Sequence, residues 1–559
     1  MREIDLKLKR LSGASFWIIF ISIPVIIVCS GYYRYGIGDE TITVPFVKHI
    51  VNPNLYPGDI LIDQQKYYYT YFWHLAAFLY KLGINLEYVF LGLYLLQVYL
   101  FLFSLYLVSK DLGIEKSLMP IIFFVSLFPE HLPAGMSITG VTVTTRFMAL
   151  SLTLFSLRFF WRSKIYLSFL FAGISYLIHP ISGVFCVLTL IAWSLWRALN
   201  DNITKYIYGL LIFLFVVSPL VYWQLMGLSG KGSGLQVASA EWIDLLKLRS
   251  SQHLFISLQD RWVLLNTFFA VVILLTGVNF EIDRIRKGYI FIMILIAIVM
   301  AVIGTFFVEV IPITGVIYIQ PWRYFMLISA IASIYVGVIL KNLFKFGKYS
   351  GFLLGIFVLI VALFRCFNGA NLHNLLKFFI AVLSLWGLYF VLVKLYKSAS
   401  VYITLLSISF ILLICFFCIR GNEIGIKNAS AREWIDVQLW AKNNTPCNSV
   451  FIVPPNTEGF RVESERTIYV DWKSGTLLNF DENYGRNWFS RMQKLGFKSQ
   501  DSIQKDFTLL PDTVFVDIAT HIPAEVYLVD YKKEPPRNFP IVYQNDSFVV
   551  YKVKGSEFH

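Results

Sequence analysis

Asp39 and Glu40 are adjacent carboxylates in Gly36-Ile37-Gly38-Asp39-Glu40-Thr41, the first residues to leave the first long apolar run. An ionised pair is costly to hold beside hydrocarbon, so its place at a bilayer edge points either to a task or to the solvation of a helix end. The chemistry open to it is proton abstraction. A carboxylate beside an acceptor hydroxyl takes the proton as the new bond forms, a contribution of about 10²–10⁴-fold. Asp39 is the candidate base, and Glu40 is the alternative base, a metal ligand or an orienting partner. Such a reaction also needs cations where charge collects on a leaving group. Arg323 follows Gln320-Pro321-Trp322 at the start of an apolar run, where Pro suits a first helical turn and a guanidinium can grip phosphate through two hydrogen bonds. Arg146 stands near the start of another run, and Arg249-Ser250-Ser251-Gln252-His253 lies in a long polar loop. Arg146, Arg249, His253 and Arg323 are therefore the candidate phosphate ligands. Glu130 and His131 between prolines, His179 before Pro180, and Arg461 and Lys473 near the C-terminus are candidate substrate contacts. Each has a structural alternative: interfacial anchoring for the arginines, a helix break for His179, solvated loops for the others.

These residues are scattered over most of the chain, and a membrane bundle can gather them. The 559 residues are 57% hydrophobic, 17% aromatic and 15% charged, with a mean hydropathy of +0.64, which excludes an ordinary soluble globular protein. The formal net charge of +13 lies mostly in short clusters between apolar runs, the pattern of positive-inside turns and not of a nucleic-acid surface. The cysteines form no disulfide framework and no zinc spacing. Runs long enough to cross a bilayer recur from residue 14 to about 419. With Lys7, Lys9 and Arg10 inside, the first span at about 14–33 leads outward. If Tyr67 to Leu82 is a juxtamembrane helix and does not cross, the basic clusters after every later inward span fall on the inner side. Those spans lie at about 87–108, 117–130, 144–160, 165–179, 181–198, 204–225, 261–278, 288–308, 321–341, 350–367, 375–395 and 400–419, so the expectation is about thirteen crossings.

The expected architecture is thus an α-helical polytopic membrane module over residues 1–419, with outer loops at 34–86 and 227–260, and a small extracytoplasmic α/β domain over 420–559. The N-terminus is cytoplasmic in this reading. Thr43–Ile50 reads as an amphipathic segment after the acidic pair. In the C-terminal part, strands are expected at Ser449–Val453, Thr467–Val470, Thr513–Asp517, Val526–Val529 and Ser547–Val553, with helices at Ala431–Asn443 and Gly485–Leu495. The acids, guanidiniums and imidazoles gather at the outer ends of helices, whereas a transporter tends to bury its ionisable groups near the midplane. One or two carboxylates with several cations beside hydrocarbon suit transfer of a sugar from a lipid-linked phosphate donor.

On the acidic first loop, the juxtamembrane segments Thr43–Ile50 and Tyr67–Leu82, the inward-biased basic turns, the long mid-chain loop and the appended outer domain, the chain resembles the GT-C class of polytopic glycosyltransferases. That group includes protein O-mannosyltransferases and the aminoarabinose transferase of lipid A. It is closest in pattern to bacterial members with a first-loop acidic pair followed by Asn52-Pro53-Asn54-Leu55-Tyr56-Pro57-Gly58-Asp59. The resemblance implies an inverting transfer of a hexosyl or pentosyl group from a polyprenyl-phosphate donor to a glycan, lipid or protein acceptor at the outer face of a bacterial inner membrane. It also implies a divalent cation, Mg2+ or Mn2+, at Asp39 or Glu40 in those members that use one. The chain lacks the WWD-type motif of oligosaccharyltransferases, which argues against N-glycan transfer. The competing readings are a transporter or flippase of lipid-linked sugars and a multi-span polysaccharide polymerase or ligase.

Overall fold

Apolar runs in a bilayer fold as helices because no water is present to satisfy an open backbone. The computed structural model describes residues 2–127, 132–228, 234–343, 431–500 and 502–555. Its bundle contains α1 (Arg2–Cys29), α2 (Glu40–Val51), α3 (Phe72–Lys81), α4 (Leu86–Asp111), α5 (Met119–Leu127), α6 (Thr145–Trp161), α7 (Ile165–Ile178), α8 (Pro180–Ala198), α9 (Thr204–Leu228), α10 (Ala240–Leu254), α11 (Arg261–Asn279), α12 (Arg284–Thr305), α13 (Thr314–Ile319) and α14 (Phe325–Leu343). Among the described residues, six segments are long and apolar enough to cross a membrane: α4, α8, α9, α11, α12 with its π-helical extension to Val310, and Thr314–Asn342. The protein is an integral, polytopic helical membrane protein. The expected spans at 350–367, 375–395 and 400–419 lie outside the described residues. The run expected to cross at 117–130 begins as a 3-10 turn, Lys116–Leu118, and continues as α5, which is nine residues long and wholly buried. At 1.5 Å per residue that described helix is about 14 Å long, short of the roughly 30 Å hydrocarbon core.

Burial sorts the helices. In the most apolar 18 residues of each span, Thr314–Asn342 is 94% buried, whereas α9 and α12 are 22% and 28% buried and present long apolar faces outward. Ten-residue α3 is also too short to cross, so the stretch Tyr67 to Leu82 stays at one surface. The basic turns converge at one end of the bundle. Arg158 pairs with Asp111 at 2.8 Å, Arg286 pairs with Asp283 and donates to the Asp111 carbonyl, and Lys341 donates to the carbonyl of Leu112. The acidic loop, α2, α3, α10 and the C-terminal part occupy the other end.

That C-terminal part is an α/β unit built on a five-stranded sheet of order β2-β1-β3-β5-β4. Its strands are β1 (Val450–Ile452), β2 (Thr467–Ile468), β3 (Val526–Tyr531), β4 (Ile541–Gln544) and β5 (Phe548–Lys554). Parallel β1, β2 and β3 meet antiparallel β5, which carries β4 on its outer edge. One expected strand is corrected and one unexpected strand is present. Thr513–Asp517 lies in a helix, Asp512–Thr520, whose buried Phe515, Ile518 and Ala519 follow helical spacing. β4 follows Pro540 and is largely exposed, so no apolar alternation marks it in the sequence. A second correction concerns α2. The segment is not amphipathic in use, because Glu40 through Lys48 are all buried. The C-terminal unit covers its second face, and Lys48 donates to the Val462 carbonyl at 2.6 Å and pairs with Glu465 at 3.0 Å.

Candidate active site

The turn Gly36-Ile37-Gly38 ends the approach from α1 and starts α2. Gly36 and Gly38 have φ of 75° and 56°, where L side chains are strained, and a Cβ on Gly36 would come within 3.0 Å of the Val462 side chain. This turn sends the two carboxylates apart. Glu40 is fully buried; its oxygens accept from the backbone N–H of Val143 at 2.9 Å and of Gly36 at 3.0 Å. Burial pushes its carboxyl up to about 8 even though both amides favour the charged form. Asp39, at the N-cap of α2, keeps 37% of its side chain exposed. Its Oδ2 meets Arg146 Nη1 at 3.1 Å and its Oδ1 meets Lys473 Nζ at 3.3 Å. Burial alone would raise this carboxyl, but Lys473 and Arg146 hold it well below the usual carboxylate range. The charged member of the pair is therefore Asp39, and Glu40 ties the first loop to the segment leading into α6.

Four expected contacts gather around Asp39. Arg146 comes from the first turn of α6, and Lys473 comes from a 3-10 helix of the C-terminal unit, Lys473–Asn479. Arg323 sits in the 3-10 turn Pro321–Tyr324 that leads into α14. Its Nε is buried with no partner among the described residues, as are both amide atoms of the neighbouring Gln320. Gln320 adopts a left-handed φ of 51°, a strained state for a non-glycine residue that such sites retain. His253 faces the Ala134 carbonyl through Nδ1 at 2.7 Å. Burial lowers its pKa to about 4, with Arg323 and Arg146 adding to the effect, so it is neutral at pH 7. Tyr68 adjoins the cluster: burial raises its hydroxyl to about 12, and it feels the charges of Asp39, Arg146 and Arg323.

The other expected residues are placed differently. His179 caps α8, its ring accepting from the Ser182 N–H at 3.2 Å, and it lines a narrow cavity with Ser182, Phe185 and Arg323. Arg249 does not face Asp39. It stacks 4.8 Å over the Trp472 ring and donates to the Trp472 carbonyl and to Thr476, fastening α10 to the C-terminal unit. Arg461 is buried too deeply to meet an acceptor. It pairs with Asp59 at 2.7 Å, lies 3.6 Å from Asp471 and donates to Ser474 Oγ. Glu130 and His131 lie outside the described residues. Two acids at this end escaped the sequence reading. Asp59 also accepts from the N–H groups of Leu61, Ile62 and Ile468; its only signal was a place in Pro57-Gly58-Asp59. Glu458 is exposed and accepts from the Gly38 N–H at 3.2 Å, with no motif around it.

The arrangement can hold an anion against Arg146, Arg323 and Lys473 and take a proton at Asp39. Metal ligation fits it poorly. Both Glu40 oxygens are engaged by backbone amides, Asp39 already faces two cations, and the described residues contain no group of three His, Cys, Asp or Glu that could hold an ion.

Residues 432–495 match a family model described as Domain of unknown function (DUF6798). No curated protein matches the chain. Among solved structures, ArnT from Cupriavidus metallidurans bound to undecaprenyl phosphate is similar over 96% of this chain and 98% of its own, at 13% identity and a TM-score of 0.50. The same protein in the apo state aligns over 97% and 98%, at 12% identity and a TM-score of 0.48. At such identity the likeness is one of fold, and it runs nearly end to end: this chain shares the overall fold of that ArnT structure.

Proposed function

We propose that this protein is a membrane glycosyltransferase that moves a sugar from a polyprenyl-phosphate donor to an acceptor hydroxyl, with Asp39 as general base. The observation that carries this reading is Asp39 itself. A partly exposed, ionised carboxylate sits between a cation from the bundle and a cation from the C-terminal unit, and its charge is felt by Arg323, whose Nε has no partner among the described residues. The ArnT fold, seen in that protein with undecaprenyl phosphate bound, supports the donor class.

The step balances with groups present in the chain. The acceptor oxygen attacks the anomeric carbon from the side opposite the phosphate, and the bond from that carbon to the phosphate oxygen breaks. The hydroxyl proton passes to Asp39, and polyprenyl phosphate leaves against Arg146, Arg323 and Lys473. In-line displacement inverts the anomeric configuration, and the cations act by stabilising the charge that grows on the leaving phosphate. No step is routed through a metal. The reading places the site on the extracytoplasmic side, with the N-terminus cytoplasmic, because the basic turns cluster at the opposite end of the bundle. The charged groups that pair in the described bundle lie at its two ends, an arrangement that favours surface chemistry over transport.

The test is Asp39→Asn in liposomes with a radiolabelled polyprenyl-phosphate sugar. Transfer is expected to fall by about 10²–10⁴-fold with donor binding retained. Turnover at the wild-type rate would remove Asp39 from the mechanism.

A further inference from the structure

Hydrogen bonds already made by two histidines fix what each ring has left to offer a ligand. His253 belongs to the last turn of α10, which departs from helical geometry at Ser250. In an unbroken helix Arg249 and His253, four residues apart, would share one face; across the break Arg249 meets the C-terminal unit and His253 meets the bundle. There Nδ1 lies 2.7 Å from the Ala134 carbonyl, and the ring packs so closely on Gly135 that a Cβ at that position would come within 2.9 Å of it. A carbonyl only accepts, so Nδ1 carries the proton. Burial, with Arg323 and Arg146 adding to it, keeps the ring neutral. The lone pair is therefore on Nε2, which has no hydrogen-bond partner among the described residues.

His179 has the opposite polarity. Its Nδ1 accepts from the Ser182 N–H at 3.2 Å. An amide N–H only donates, so this ring is neutral with its proton on Nε2, again without a partner among the described residues. One turn connects the two rings. Leu132 and Met136 close it with backbone hydrogen bonds of 2.8 and 3.3 Å. Within it Ala134 and Gly135 touch His253, and at its end Met136 lines the narrow cavity that His179 shares with Arg323. Donors thus stand on the cavity side, His179 Nε2–H and the unpartnered Arg323 Nε, and a neutral acceptor stands at His253. A phosphate oxygen takes donors and is repelled by a lone pair, whereas a sugar hydroxyl can donate to one.

We propose that His253 Nε2 accepts a hydrogen bond from a hydroxyl of the transferred sugar, while His179 Nε2–H binds the donor phosphate beside Arg323. The proposal rests on the glycosyltransferase reading and deepens it: the donor lies with its phosphate toward α8 and its sugar toward α10. It also exchanges the roles that residue type alone suggests, phosphate for His253 and substrate contact for His179. His253 then sets specificity, because a donor lacking that hydroxyl leaves the ring nitrogen unpaired.

The test measures equilibrium binding to the full-length protein in nanodiscs. The ligands are polyprenyl phosphate, a panel of polyprenyl-phosphate hexoses and pentoses, and single-deoxy forms of the panel member that binds most tightly. His253→Asn keeps a side-chain N–H for the Ala134 carbonyl but has no atom at the Nε2 position, and His253→Gln places an amide oxygen there. His253→Asn is expected to weaken the glycosylated donor about tenfold with polyprenyl phosphate within threefold of wild type, and His253→Gln is expected to recover most of the loss. One deoxy donor should bind wild type about tenfold more weakly than its parent, yet bind His253→Asn as well as the parent does. His179→Asn, which keeps an oxygen to cap α8, should weaken polyprenyl phosphate and the glycosylated donor alike by about tenfold. The proposal is overturned if His253→Asn weakens both ligands equally or neither, if every deoxy loss adds to that of His253→Asn, if the sugar adds no affinity in wild type, or if His179→Asn leaves polyprenyl phosphate unaffected. Wild-type protein that binds polyprenyl phosphate no better than polyprenol would instead remove the glycosyltransferase reading itself, so the two failures are distinguishable.

Discussion

Asp59→Asn isolates the contact that docks the C-terminal unit on the first loop. In the native protein one Asp59 oxygen accepts from the N–H groups of Leu61 and Ile62, and the other accepts from Arg461 Nε at 2.7 Å and the Ile468 N–H at 3.1 Å. Asparagine keeps the first oxygen but sets an NH₂ group against two donors. Both partners of the ion pair are almost wholly buried, with side chains 3% and 0% exposed, so solvent cannot step in. Removing one member of such a pair costs about 3–5 kcal/mol because the other charge is left without compensation. Asp471, 3.6 Å from Arg461, keeps the cost toward the lower end. If that energy falls on docking, the open fraction of the C-terminal unit rises on the order of 10²- to 10³-fold. Limited proteolysis in the regime where cleavage tracks the open population reads this directly. A double variant, Asp59→Asn with Arg461→Met, is expected to recover part of the loss, since an apolar side chain leaves no charge stranded. A single variant cleaved within threefold of the wild-type rate, or a double variant worse than the single, would refute the account of docking.

Two further outcomes are expected. Glu40→Gln leaves an amide NH₂ facing the N–H of Gly36 or Val143, a loss of about 1–3 kcal/mol read as a lower Tm. Because burial raises the folded Glu40 carboxyl to about 8 from 4.5, its protonated form favours folding. Wild-type stability should then be fullest below the unfolded value and decline by a few kcal/mol as pH rises through about 8, a slope that Glu40→Gln removes. For catalysis, the acid limb of kcat should lie at higher pH than that of kcat/KM, because the first reports the donor complex and the second the free enzyme. Coincident limbs would mean that the cations stay on Asp39 through the reaction.

The bundle was largely legible in the sequence, for a physical reason. Transfer of apolar residues to hydrocarbon is a strong local signal, and runs such as 165–179 and 261–278 become helices ending within a residue of those limits, Ile165–Ile178 and Arg261–Asn279. The segment expected after the acidic pair, Thr43–Ile50, lies within a helix, Glu40–Val51. What failed depended on distant partners. The different fates of Asp39 and Glu40 are decided by the Val143 amide, 103 residues from Glu40, and by Lys473 on another unit. Arg461 reads as a surface cation until Asp59, 402 residues away, is seen to neutralise it inside the interface. Thr513–Asp517 alternates like a strand, yet its neighbours Ile518 and Ala519 belong to the same buried helical stripe. Local pattern could not separate the two periods in so short a run.

The electrostatics of Asp39 tie these parts into one cycle. As it stands, the carboxylate is always ionised but a weak base, since Lys473 and Arg146 hold it well below the usual range, and a proton acceptor works best with a pKa near the working pH. The same two cations are those a donor phosphate would claim. A phosphate that draws Arg146 and Lys473 away from Asp39 removes the terms that depress its pKa and leaves the burial that raises it. Basicity then appears only when the donor is in place. One of the two cations belongs to the C-terminal unit, so this coupling requires that unit to be docked, which is the work of Asp59 and Arg461 some distance from the chemistry. Donor binding, domain docking and activation of the base thus become a single event, and a site without donor keeps an idle proton acceptor.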